Sequence, residues 1–97
     1  MATLSAARMK KNVEKLQREL TKLGPVMRGS VVKIGTKKKQ YYFSLNKDKK
    51  TKLIYLGENK VGVAKEYSEN YKRLLQIVEE MTILNMEIIR SDKKIKQ

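Results

Sequence analysis

The sequence predicts an α+β fold: an N-terminal helix, a three-stranded antiparallel sheet and a long C-terminal helix, with the helices paired as a helical hairpin or coiled coil and the sheet at one end. Three observations predict it. Met9, Val13, Leu16, Leu20 and Leu23 step 4, 3, 4, 3, the spacing of one helix face. Tyr67, Tyr71, Leu74, Val78, Met81, Asn85 and Ile88 repeat that rhythm. Between them Tyr41, Phe43 and Leu45 alternate with Tyr42, Ser44 and Asn46 at the period of a strand. At 97 residues the chain is one small domain with a thin core.

The first helix is expected over 6–23. Ser5 is its N-cap, because a serine hydroxyl accepts from an orphan N–H of the first turn. Lys10, Lys11, Lys15, Arg18 and Lys22 form the opposite face. Gly24-Pro25 ends the helix, with Gly24 expected in the left-handed position and Pro25 unable to continue the ladder.

The middle third, 28–57, is expected to be a basic sheet. Strand one covers 29–34, strand two 40–46 and strand three 51–56, joined by turns GTKKK and NKDKK. Tyr41, Phe43 and Leu45 should face the core, leaving Tyr42, Ser44 and Asn46 to solvent or a ligand. TKLIYL is too apolar for its pattern to assign Leu53 and Tyr55 to a side. After a loop over 58–62, the second helix is expected over 63–90, and a basic tail over 91–97. This helix is the longer, so its far end is expected to overhang. Met81, Leu84, Asn85, Ile88 and Ile89 would then form an oligomer interface, with Asn85 either setting register in a homodimer or facing water at a frayed end.

Charge carries the strongest functional signal. There are 23 Lys and Arg against 10 Asp and Glu, a net +13. Residues 28–60 hold ten cations and two acids, so most of the excess lies on the sheet. Such a balance predicts an acidic partner, with nucleic acid first and DNA ahead of RNA. Lys33, Lys37, Lys38, Lys39, Lys47, Lys49, Lys50 and Lys52 lie in or beside the strands as phosphate contacts. Tyr42, Ser44 and Asn46 are the side chains placed to meet bases. The opposing reading is that turn lysines are solvated and guard the strand edges.

Other chemistries are poorly supplied. There is no Cys or His, which excludes disulfides, Cys/His zinc sites and imidazole-based triads. Neither RGS nor GTKKK has Walker spacing, and adjacent Glu79 and Glu80 point apart on a helix. A non-enzymatic protein without metal or cofactor is expected. No stretch is apolar enough for a membrane span, and MATLSAARMKK lacks a secretory h-region, so a cytoplasmic protein is expected.

Gly29-Ser30-Val31, Tyr41-Tyr42-Phe43-Ser44-Leu45, Lys52-Leu53-Ile54-Tyr55-Leu56-Gly57 and Asn85-Met86-Glu87 together resemble a family of short, uncharacterised bacterial and archaeal domains. Its members run as a Gly-Ser strand, a YYxLS strand, a lysine-rich strand and a long helix. The resemblance covers about two thirds of the chain. Many relatives carry a cysteine-containing insert where this chain has GTKKK, so a metal site at that position is absent. Such domains tend to lie near mobile-element or phage genes, which implies a nucleic-acid role. The strand order is also similar to the arm-binding domains of phage integrases, a likeness of topology alone. The competing expectation is a protein-interaction module or inhibitor that docks on a nucleic-acid enzyme through the long helix and basic surface.

Overall fold

A computed structural model describes residues 5–91 of the chain. The element order is α1 (Ala6–Lys22), β1 (Ser30–Ile34), β2 (Gln40–Lys47), β3 (Lys50–Tyr55) and α2 (Gly57–Ser91), the expected α+β arrangement. The expected basic tail lies outside the described residues apart from Ser91. The chain divides into two compact units that share α2. One is α1 with α2 from Leu74 onward; the other is Gly24–Arg73.

In the helical unit, Ser5 caps α1 as expected, its Oγ accepting from the Arg8 N–H at 3.2 Å. Gly24 does not take the left-handed position. Leu23 is extended instead, with φ −65° and ψ 135°, and its N–H donates to Leu20 O. Met9 is buried, and Val13, Leu16, Leu20 and Leu23 are half-buried, so the predicted seam of α1 faces inward. Leu16 and Glu19 of α1 share a groove with Glu80, Ile83 and Leu84 of α2. Ile77 is 0% exposed and Ile88 is also buried.

The helix α2 begins at Gly57, so the expected loop over 58–62 is its first turn and more. Its 35 residues run about 52 Å without a break. The strict 4-3 repeat misjudged its buried stripe. Val78 is 50% exposed, while its neighbour Ile77 holds the core. A heptad describes one partner and a supercoil. This helix serves the sheet with one half and α1 with the other, so the buried stripe is not one repeat.

In the sheet unit the order is β1-β2-β3, all antiparallel. Phe43, Leu56 and Ala64 form the core, with Met27, Val31, Tyr41 and Val61 packed on it. Tyr41 and Phe43 of the expected inner set of β2 therefore lie in this core, and Leu45, on the same side of the strand, is half-buried beside it. Three bonds hold the entry segment to that helix: Met27 N–H to Tyr67 O at 3.0 Å, Asn70 Nδ2 to Pro25 O at 2.9 Å, and buried Ser68 Oγ to Gly29 O at 2.8 Å. Gly29 has φ 146°, and a Cβ there would lie 2.5 Å from Ser44 O and 2.7 Å from the Phe43 ring. Only glycine fits both the backbone and the space.

Candidate nucleic-acid interface

The second hairpin defines the two faces of the sheet. Asp48 and Lys49 have φ 53° and 62°, the pattern of a two-residue type I′ turn. That turn pairs Lys47 with Lys50, and the register then places Ser44 beside Leu53 and Tyr42 beside Tyr55. Because side chains alternate along a strand, Tyr42, Ser44, Asn46, Thr51, Leu53 and Tyr55 share the face turned away from α2. On β1, Ser30 and Val32 join them through their pairing with Ser44 and Tyr42.

This open face is apolar and aromatic at its middle. The Tyr42 and Tyr55 rings meet edge to face, 5.6 Å apart at 68°. Tyr55 is 58% exposed and Leu53 48%. The Tyr55 hydroxyl donates to Gln40 Oε1 at 3.1 Å, and Thr51 Oγ1 donates to Asn46 Oδ1 at 2.8 Å. These bonds orient polar groups along the face without covering it.

The lysines do not lie on that face as one cluster. Lys37, Lys38 and Lys39 occupy the β1–β2 turn, and Lys49 with its neighbours Lys47 and Lys50 occupies the β2–β3 turn. The two groups stand at opposite ends of the eight-residue β2, about 24 Å apart. Lys33, Lys47, Lys50 and Lys52 share the parity of Phe43 and Tyr41, which is the side facing α2. Lys33 Nζ lies 5.1 Å from the centroid of the Tyr41 ring, a cation–π distance that holds it to that side. Thus Tyr42, Ser44 and Asn46 come together as expected, with lysine turns bracketing them. The side chains of Lys33, Lys47, Lys50 and Lys52 are set on the other side. Asp48 is the sole acidic residue between Gly24 and Gly57.

Two residues of this face, Leu53 and Tyr55, were not assigned by pattern alone. The signal that finds them is the turn: treating Asp48-Lys49 as the two central residues pairs 55 with 42 directly. The expected oligomer residues fare differently. Ile88 is buried, and Met81 and Leu84 are half-buried within the helical unit, leaving only Asn85 and Ile89 exposed. The reason is that α1 packs beside the half of α2 that was expected to overhang. The outward stripe of that half is Leu75, Val78, Met86 and Ile89, at 44–64% exposure.

Among the described residues no group of acidic side chains is arranged to hold a metal ion. No described helix is long and apolar enough to cross a membrane. The chain matches no protein-family model, no curated protein and no solved structure.

Proposed function

We propose that the protein is a non-enzymatic nucleic-acid-binding protein that lays the open face of its sheet on duplex DNA. One observation carries this reading: an uncharged face of Tyr42, Tyr55, Leu53, Ser44 and Asn46, bracketed at both ends by lysine turns. Three strands span about 10 Å across, which suits a major groove about 12 Å wide. The turn lysines would neutralise phosphates on either side of the groove, and the face between them would meet base edges. The edge-to-face tyrosines offer no flat two-ring platform for stacked single-strand bases, which favours duplex over single strand. The homodimer belongs to this reading, with its interface on Leu75, Val78, Met86 and Ile89.

The test is fluorescence anisotropy with labelled duplex DNA, single-stranded DNA and RNA across a salt series. Lys37→Glu/Lys38→Glu/Lys39→Glu is measured beside the wild type. Duplex binding should be tightest. Loss of three phosphate contacts should flatten the slope of log K against log salt by about 2.7. Negligible binding to all three polymers at low salt sinks the reading.

A further inference from the structure

The edge of the sheet at β3 carries a second recognition surface, distinct from the open face. The Leu56 N–H donates to Tyr41 O at 3.0 Å, so Tyr41 and Leu56 belong to the hydrogen-bonded class of antiparallel pairs. By alternation the bonded pairs of the hairpin are 43 with 54, 45 with 52 and 47 with 50. Thr51, Leu53 and Tyr55 therefore turn their N–H and C=O groups away from β2. With β3 last in the sheet order, these groups meet no further strand. Every residue of β3 is exposed.

Beneath this edge, on the side facing α2, lies a groove of about 450 Å³. Its floor is Met27, Phe43, Leu45 and Ile54. Its rim is Arg28, Lys47 and Lys52, and no acidic residue lines it. Ile54 is 57% exposed although it shares the parity of buried Phe43, because α2 does not cover β3 as it covers β2. Arg28 Nη1 donates to Asn46 O at 2.9 Å, which fixes the guanidinium at the groove mouth.

We propose that the β3 edge and this groove bind an extended acidic segment of a partner protein, which adds to the sheet as a fourth strand. Backbone bonds to Thr51, Leu53 and Tyr55 supply the pairing. The residues of the added strand opposite Lys50 and Lys52 are acidic, and the residue opposite Ile54 is apolar and enters the groove. The side chains on its other face lie beside Leu53 and Tyr55, which selects apolar groups there. A second copy of this chain is disfavoured as occupant: its β3 carries Lys50 and Lys52 and no acid, so it would add cations to a rim that is already Arg28, Lys47 and Lys52. This surface does not depend on the nucleic-acid reading, because its backbone edge and its groove lie outside the 37–39 turn and the added strand only borders the open face at Leu53 and Tyr55.

The probe is a fluorescein-labelled peptide, Asp-Val-Ile-Val-Glu-Thr-Glu, titrated into the full chain and followed by anisotropy and by ¹H–¹⁵N NMR. Binding should protect the amides of Thr51, Leu53 and Tyr55 from solvent exchange. Methylating the backbone nitrogens of the peptide's two valines and its threonine keeps charge and apolarity but removes the pairing donors, and affinity should fall at least about tenfold. Lys52→Glu, on an exposed side chain, should cost a similar factor of about ten. Reversal of Lys37, Lys38 and Lys39 should cost less than Lys52→Glu, since that turn adjoins only the Asp end of the peptide, where Leu56 pairs with Tyr41. No binding, equal binding of the methylated peptide, or amide shifts centred on 37–39 instead of β3 each overturn the proposal.

Discussion

At the scale of single residues, three positions carry costs that mutation can read. Lys49 has φ 62°, a left-handed conformation that penalises any side chain with a Cβ. Lys49→Gly should therefore stabilise the protein by about 1 kcal/mol, or about 4–8 °C in Tm for a chain this small. Calorimetry checks the sign, and a lower Tm would mean that the turn is not type I′. Ser68 is buried and its hydroxyl is the partner of Gly29 O. Ser68→Ala leaves that carbonyl unpaired and should cost about 1–2 kcal/mol in urea unfolding. Gly29→Ala should cost more, because its methyl lands within contact distance of Ser44 O and Phe43.

At the scale of elements, the hairpin β2–β3 decides which side chains share the open face. Tyr55 lies beside Tyr42 on the open face and Lys52 on the other. Tyr55→Ala should weaken duplex affinity several-fold and leave the salt slope unchanged, because it removes contact area and no phosphate partner. Lys38→Ala should weaken affinity and also lower the slope by about 0.9, because it removes a phosphate partner. Salt-series titrations of the two variants separate these outcomes. A slope change for Tyr55→Ala would place the phosphate contacts elsewhere.

At the scale of the whole molecule, α2 is the element common to both compact units. Its half from Leu74 onward is apolar on two sides. One side, with Ile77 and Ile88, is internal; the other, with Leu75, Val78, Met86 and Ile89, is exposed. The dimer reading now predicts that Val78→Glu/Met86→Glu gives a folded monomer by sedimentation, with helical circular dichroism retained. A wild type that sediments as a monomer at high concentration removes that reading. Ile77→Ala should instead destabilise by about 2–5 kcal/mol, because the fully buried side chain leaves a cavity.

Much of the molecule was legible in its residues. Period 3.6 and period 2 are local properties, so the two helices, the three strands and the N-cap at Ser5 follow from neighbouring residues alone. The charge imbalance is likewise a sum over the chain, and it points to an acidic partner wherever the lysines fall. What needed the tertiary structure was every question of sides. Whether Ile77 or Val78 enters the core depends on which element packs against α2, and a repeat within α2 holds no record of that. Whether the apolar end of α2 is free depends on where α1 comes to rest. The lysines of the sheet divide between its ends and its helix-facing side because one two-residue turn sets the register of β3. A strand places alternate side chains on opposite faces, so that register, and not composition, separates the open face from the edge groove.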